Sequence, residues 1–155
     1  MIFKPWKTIR LQTYSPERIE AALSSSRVRV SDSALDVLVT VAPWFQPRDI
    51  RLAKVLVSAL DLTETATSHA ILERAMALGL HLVPAAVGPF LRCDYNSQPD
   101  GERLLLGMEP VFCSGYPYIF ALTAAERVLE LQTEWGNLGH VWGDPSSYWI
   151  FEHVT

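Results

Sequence analysis

The pattern of apolar and polar positions predicts helices and strands in most of the first 60 residues, with a loop at residues 43–49. Residues 7–14 alternate and predict a half-buried strand. Two helices are expected next, one beginning at Ser15 and Pro16 and ending in the serines 24–26, and one running from residue 31 or 32 to Pro43. Residues 52–60 are almost all apolar, which predicts an interior strand, although a short helix fits so short a run equally well. The apolar stripe of the second helix consists of Leu35, Leu38, Val39 and Ala42.

A third helix is expected between residues 67 and 78. Thr67 or Ser68 can cap its first turn, because either hydroxyl can accept a hydrogen bond from a backbone N–H. Gly79 follows the last apolar residue of the helical stripe and can adopt the left-handed conformation that commonly ends a helix. We therefore predict that the helix ends at Gly79.

The segment that follows this helix predicts a β-hairpin. Its strands are residues 90–95 and 102–109, and a tight turn at residues 98–101 joins them through proline, aspartate and glycine. Their register is the one that buries all the apolar side chains on a single face. That face would carry Leu91, Cys93, Tyr95, Leu104, Leu106 and Met108.

The last third of the chain predicts further strands, after a turn at residues 111–117. Residues 118–123 and 127–133 are expected to form a hairpin through the turn 124–126. A helix over 127–133 is the alternative, because alanine, glutamate and leucine are good helix formers. Residues 148–154 predict the final strand.

Together these elements predict a single α+β domain that spans residues 1–155. About three helices are expected to pack on a mainly antiparallel sheet of five to seven strands that ends in a C-terminal meander. With 155 residues, 49% of them hydrophobic, the chain can bury one substantial core. Nothing in its composition suggests a second domain.

The middle of the chain carries a resemblance to known sequences. The residues concerned are Ala75, Leu78-Gly79-Leu80, Pro84-Ala85, Val87-Gly88-Pro89, Leu91-Arg92, Tyr95, Gln98-Pro99, Gly101-Glu102 and Met108-Glu109-Pro110. This run resembles a family of small uncharacterised bacterial proteins that share the pattern LGLxLxPAxVGPxLRxxYxxQPxGE…MEP. The resemblance implies a bacterial or phage-like origin, and it implies no activity, ligand or catalytic residue. Val83 stands where such relatives often have cysteine, which argues against a metal or redox role for this corner.

Charge and cysteine content narrow the classes of function. The formal net charge is −4 and no basic run is present, so we expect no nucleic-acid partner. The longest apolar runs fall short of the ~20 residues that cross a bilayer, and no signal peptide is evident, so we expect no membrane partner. Cys93 and Cys113 are too few for a disulfide framework, and we expect both to be reduced in a cytoplasmic protein. No phosphate-binding or dinucleotide-binding motif indicates a cofactor.

The mixed face of the predicted hairpin, on which charged and apolar residues alternate, is the first candidate ligand-binding site. It carries Arg92, Asp94, Arg103 and Glu109, and the predicted register sets Arg92 opposite Gly107 and diagonal to Glu109. A position without a side chain next to a guanidinium and a carboxylate is either where another part of the fold packs closely or where a ligand is received. The competing structural interpretation is a face of salt bridges, partly buried around Arg92.

The glycine-rich loop of residues 135–147 is the second candidate. It places His140 near Trp142 and Asp144, a combination that suits a small-ligand or acid–base site. The competing interpretation is that the tryptophans cover one end of the sheet and the glycines let the loop turn. No pair among the four histidines has the spacing of metal ligands, so no metal is expected.

These observations favour a non-catalytic module of bacterial type that binds a protein or a small molecule. The alternative is a small hydrolase that uses His140, Asp144 and Glu109. A closed pocket around these residues would favour the enzyme, whereas an exposed apolar patch would favour the binding module.

Overall fold

The computed structural model describes residues 3–41, 46–63, 65–142 and 146–154. The α-helices in this part of the chain are α1 (Pro16–Ser25), α2 (Asp32–Val41), α3 (Ser68–Ala77) and α4 (Val87–Asp94). The strands are β1 (Lys7–Leu11), β2 (Arg29–Val30), β3 (Arg48–Leu56), β4 (Leu80–His81), β5 (Arg103–Leu106), β6 (Val111–Cys113), β7 (Tyr116–Ala125), β8 (Val128–Trp135) and β9 (Tyr148–His153). A 3₁₀ turn, Val57–Leu60, follows β3.

All of these strands belong to one mixed sheet with the order β1-β3-β9-β5-β7-β8-β2, in which β4 also pairs with β9 and β6 with β7. The pairs β2/β8 and β5/β9 are parallel and the others are antiparallel. The predicted α+β class is confirmed. The predicted counts were too low, because the described residues form four α-helices and nine strands, and the last strand lies in the centre of the sheet.

Helices cover both faces of the sheet. Successive side chains of a strand alternate between faces, so Trp149 and Ile150 of β9 mark the two faces. Lys54 pairs with Ile150, so the two side chains lie on the same face of the sheet. The Lys54 ammonium lies 5.8 Å from the centre of the ring of Tyr95, the residue that follows α4, and α4 therefore packs on the Ile150 face. Trp142 contacts Trp149 and donates a hydrogen bond to the first residue of α3, which places α3 on the other face. The buried apolar residues form one hydrophobic core.

The first two helices begin as their capping residues predict. Ser15 Oγ accepts a hydrogen bond from the Arg18 N–H, with a proline as the first residue of α1, and the Ser31 hydroxyl accepts from the third residue of α2. The apolar stripe predicted for α2 was right at Leu38, which is buried, and wrong at Val39, which is 61% exposed. Residues 34 and 37, which were not predicted, are buried as well, and Ala42 lies outside the described residues. The helix is apolar at so many positions that more than one stripe fits its sequence.

The apolar run after α2 is a strand that ends earlier than predicted. β3 covers residues 48–56, and the last four residues of the predicted strand form the 3₁₀ turn. Asp61 ends this turn in the left-handed conformation, with a φ of 60°.

The segment predicted as a strand over residues 90–95 is helical, and this expectation was wrong. Residues 87–94 form α4, with Pro89 in its first turn. Proline is tolerated there because the backbone N–H groups of the first turn have no partner within the helix. The strand predicted to pair with it is β5, which pairs with β7 and β9 instead. Arg92 therefore does not lie across from Gly107 on a hairpin face.

The C-terminal hairpin is confirmed, and the helical alternative for residues 127–133 was wrong. β7 and β8 pair along their length, from Tyr118 opposite Trp135 to Ala125 opposite Val128. The turn between them is therefore at residues 126 and 127 rather than at 124–126. Both turn residues have positive φ, as the type I′ turn of a two-residue hairpin requires. The segment predicted as a simple turn, residues 111–117, is itself a short hairpin of β6 with the start of β7.

Gly79 ends α3 as predicted, and its backbone requires glycine. Its φ is 92° and its N–H bonds to the carbonyl of Met76. We expect Gly79→Val to lower the free energy of unfolding by about 1 kcal/mol or more, since L-residues other than glycine and asparagine are strained there. Apart from the two chain neighbours of Gly79, no atom of the described residues lies within 4 Å of a β-carbon built at this position, so the loss would report backbone strain rather than a clash of that carbon. Urea denaturation measures it, with Gly79→Asn as the milder control; unchanged stability of Gly79→Val would contradict the assignment.

Candidate functional site

The sheet forks where β5 ends at Leu106. Glu152 of β9 pairs with β3 on one side and with β4 on the other. β4 therefore lies along the same edge of β9 as β5 does. Tyr118 of β7 pairs with both β8 and β6, so β6 must lie on the edge of β7 that β5 uses. Beyond β5, the sheet therefore has two separate edges that face each other, one formed by β4 and the other by β6.

A groove of about 530 Å³ lies at this fork, and we call it the α3–β6 groove. It is lined by His69, Leu72, Glu73, Met76, Leu82, Glu109, Pro110, Phe112 and Leu138. A second depression of about 470 Å³ adjoins it and shares Leu82, Glu109 and Pro110 with it. Most of the lining side chains are apolar, and three of them are unusually exposed for their type: Met76 (49%), Phe112 (67%) and Leu138 (46%).

Each wall of the groove is held by local structure. Thr67 caps α3 by accepting the Ala70 N–H, and this fixes the helix that presents Met76. The loop after β8 runs back to the same helix end, where the His69 N–H donates to the Leu138 carbonyl. Phe112 is the middle residue of β6, and the sulfur of the next residue, Cys113, lies 3.5 Å from the Thr40 hydroxyl of α2. The apolar walls are thus supported by a helix cap, a docked loop and a hairpin.

The charged groups of the groove are acidic or imidazole. Glu73 lies 3.1 Å from His69 Nε2, one helical turn away, and both side chains are well exposed. Glu109 is exposed and follows the last buried residue after β5. Lysine and arginine are absent from the described residues that line the groove. Arg48 lines the adjoining depression but not the groove, and its charge is paired with Glu152 at 2.8 Å. The groove is therefore apolar with an acidic rim.

The structure separates the residues that were predicted to share a ligand-binding site. Glu109 lines the α3–β6 groove, whereas Asp94 ends α4 and pairs with Lys7 at 2.5 Å. His140 stacks edge-on against Trp142, with ring centres 4.6 Å apart, and is not among the described residues that line the groove. Asp144 lies outside the described residues. The three residues of the hydrolase hypothesis are thus not brought together in the part of the chain that is described.

Trp142 is a packing residue in this structure. Its indole N–H donates to the Ser68 hydroxyl at 2.6 Å, and its ring packs edge-on against Trp149. Its face also lies 5.9 Å from the Arg103 guanidinium. The side chain ties the loop after β8 to the start of α3 and to the sheet, which agrees with the interpretation that tryptophans cover the sheet.

Arg92 is fully buried and has no carboxylate partner within the described chain. Its guanidinium donates to Gln98 Oε1 at 2.5 Å, to the Tyr95 carbonyl at 2.6 Å, and to the carbonyls of Thr123 and Glu130. Burial lowers the pKa of the Arg92 guanidinium to about 10, so it remains charged at neutral pH. The side chain joins α4 to the β7/β8 hairpin and is closed to ligands.

A second polar cluster was not predicted from the sequence. Lys54 Nζ lies 2.6 Å from Glu102 Oε2, and its ammonium lies over the rings of Tyr148 (4.5 Å) and Trp6 (5.2 Å). The Tyr95 hydroxyl donates to Glu102 Oε1, and burial together with this hydrogen bond raises the pKa of Tyr95 to about 12. Because the protein's own lysine occupies the aromatic cage, this cluster stabilises the fold and offers no space to a ligand.

The two cysteines differ from their predicted settings. Cys93 lies on α4 and is half-buried rather than on the buried face of a strand, and Cys113 ends β6. Burial raises the pKa of the Cys93 thiol despite its hydrogen bond to Ser26. We expect iodoacetamide to alkylate Cys113 several-fold faster than Cys93 in the native protein, because the thiolate is the reactive form. Peptide mass spectrometry of the wild type, Cys93→Ser and Cys113→Ser measures both rates; equal rates would refute the expectation.

Comparison with protein-family models found no match to this chain. Comparisons with curated proteins and with solved structures likewise found none. None of the helices in residues 3–41, 46–63, 65–142 and 146–154 is long and apolar enough to span a membrane. Over those same ranges, no three His, Cys, Asp or Glu side chains are grouped as metal ligands.

Proposed function

We propose that the protein is a non-catalytic binding module and that the α3–β6 groove receives a segment of another protein. The observation that carries the proposal is the exposure of Met76, Phe112 and Leu138 around one concave surface. Large apolar side chains scattered singly on a surface are ordinary, but a group of them around a groove is typical of a protein-binding site.

A protein segment suits this groove better than a small molecule does. Small-molecule sites bury most of the ligand and direct several polar groups at it. Here the walls are half-exposed, and the polar groups are two carboxylates and one imidazole at the rim. A polypeptide brings its own apolar surface and can cover the walls from outside, which a small ligand cannot do.

The groove also lacks the parts of a hydrolytic site. No serine, threonine or cysteine is present among the described residues that line it, so it offers no hydroxyl or thiol nucleophile. His69 and Glu73 interact with each other on the surface of α3 rather than converging on an enclosed space. These features support binding rather than catalysis as the role of the groove.

A library of random linear peptides displayed on phage tests this proposal. Peptides selected on the wild-type protein should bind at least about tenfold more weakly to Met76→Glu and to Phe112→Glu, because a charge in the apolar wall opposes burial. Val39→Glu is the matched control, since Val39 is equally exposed but lies outside the groove. Circular dichroism spectra and melting curves of all three variants check whether the fold is retained.

The proposal is supported if the groove variants lose the peptides and the control keeps them. It fails if the selected peptides bind both groove variants as well as the wild type, or if repeated selection returns no peptide that the groove variants discriminate.

A further inference from the structure

Among the described strands, β6 pairs with β7 alone, and the backbone groups of one of its residues are not used in that pairing. Cys113 and Tyr116 flank a two-residue turn whose central residues, Ser114 and Gly115, both have positive φ. In such a type I′ hairpin the flanking pair exchanges both hydrogen bonds, and the next pair along does not. The next pair is Phe112 with a proline, residue 117, which has no N–H to donate. The N–H and C=O of Phe112 therefore point away from β7.

That free edge opens into the fork of the sheet. β6 lies on the edge of β7 that β5 leaves after Leu106, so the backbone groups of Phe112 face the gap between β6 and β4. Leu82, which follows β4, and Pro110, which precedes β6, line both the α3–β6 groove and the depression that adjoins it. Hydrogen-bonding groups of a strand edge and an apolar groove thus occur together, which is what strand addition by a peptide requires.

The charge at this edge selects the partner. Glu109 lies three residues before Phe112 and has no ion-pair partner in the described part of the chain, and Glu73 faces the same groove from α3. With no lysine or arginine among the described lining residues, the groove attracts a basic segment. A second copy of this chain is a poorer fit, because residues 107–126, which include β6 and its hairpin, contain no lysine or arginine to pair with Glu109.

We propose that the segment bound in the groove is an extended strand of another protein that pairs with the free edge of β6 and carries lysine or arginine beside large apolar residues. This inference rests on the proposed function, and it adds the conformation and the charge of the partner. Main-chain hydrogen bonds to Phe112 would supply affinity, while the apolar walls and Glu109 would select the side chains.

A defined peptide tests the inference. The probe is fluorescently labelled Lys-Val-Lys-Phe-Lys-Val-Lys, compared with an analogue that has glutamate in place of every lysine and with one that is N-methylated at valine and phenylalanine. Fluorescence anisotropy should show at least about tenfold weaker binding of both analogues to the wild type. Glu109→Lys should reverse the preference between the lysine and glutamate peptides. Amide hydrogen exchange at Phe112 should be fast in the free protein and should slow at least about tenfold at saturation with the lysine peptide.

The outcomes separate this inference from the proposed function. If phage-selected peptides occupy the groove but Phe112 gains no protection, or if the glutamate peptide binds as well as the lysine peptide, strand addition by a basic segment is wrong and the binding function stands. If the lysine peptide does not bind while the selected peptides do, strand addition by a basic segment is likewise wrong and the binding function stands. A concentration-dependent dimer that protects Phe112 without any peptide would assign the edge to a second copy and would also overturn the inference.

Discussion

Replacing Arg92 with alanine is expected to lower the free energy of unfolding by about 3 kcal/mol or more. The substitution removes the donors that satisfy Gln98 Oε1 and the Tyr95 carbonyl, which lie in the interior between α4 and the β7/β8 hairpin. Each buried acceptor left without a partner costs roughly 1–3 kcal/mol, and the space left by the guanidinium adds to the loss. The melting temperature should fall by about 6–12 °C for a chain of this size.

The control for this prediction is Arg10→Ala, which deletes the same side chain from an exposed pair with Asp49. Both partners of that pair are more than half exposed, so we expect a loss of no more than about 1 kcal/mol. Arg92→Lys keeps the charge but cannot reach all four acceptors, so it should lie between the wild type and Arg92→Ala. Urea and thermal denaturation measure all three variants. If Arg92→Ala were as stable as Arg10→Ala, the buried network would not hold the helix to the hairpin.

Arg92 also shows why part of this fold could not be predicted from its sequence. Leu91, Cys93 and Tyr95 alternate with polar residues, which favours a strand over residues 90–95. The same residues also suit a helix, and the choice is made by distant partners. Gly88 shows this, because a β-carbon there would lie 2.5 Å from Cδ2 of Phe120, so glycine is what allows α4 to pack on β7. A single sequence carries no local trace of that contact.

The elements that were predicted correctly are those whose chemistry is local. Ser15 caps α1 from three residues away, Thr67 caps α3 in the same manner, and Gly79 ends that helix through its own φ. Such features depend on side chains within one helical turn of each other, so the sequence contains all the information needed. Sheet order has no such local cause, which is why the central position of β9 was not predicted.

The candidate site is harder to predict for the same reason. The α3–β6 groove is assembled from α3, the residues after β4, the segment around β6 and the loop after β8, which are far apart in sequence. Of the residues proposed from the sequence that the structure describes, only Glu109 lies in it. One local clue was available, since the glycine and proline at positions 115 and 117 indicated a turn next to the apolar Phe112. A tight hairpin with an exposed aromatic residue can form an edge strand, but the sequence did not show what lies beside it.

Gly107 is the position where the second large effect is expected. From the sequence, a residue without a side chain here indicated either close packing or a position that receives a ligand. The structure places the Phe151 ring over it: a β-carbon on Gly107 would lie 2.5 Å from Cδ1 and 2.9 Å from Cζ, and closer still to Cε1. Phe151 is fully buried in the centre of the sheet. Close packing, rather than a ligand, therefore accounts for the glycine.

We expect Gly107→Ala to lower the free energy of unfolding by about 3 kcal/mol, at the upper end of the usual cost of overpacking. Neither side can yield easily, because the Gly107 N–H bonds to the Ile150 carbonyl and its carbonyl accepts from the Val83 N–H. The ring of Phe151 is enclosed as well. Urea denaturation of Gly107→Ala measures the loss, and Gly139→Ala, in an exposed loop, is the control that should change stability by less than about 0.5 kcal/mol.

A double-mutant cycle with Phe151 shows whether the ring is the cause. Phe151→Leu alone should destabilise the core, since it removes buried ring atoms, yet it also opens space above Gly107. The loss of unfolding free energy in the double variant Gly107→Ala/Phe151→Leu should therefore be smaller than the sum of the losses in the two single variants, by about 1 kcal/mol or more. Additive losses would show that the Phe151 ring is not the reason that glycine is required at position 107. Full stability of Gly107→Ala would remove the packing explanation and reopen the interpretation of Gly107 as a position that receives a ligand.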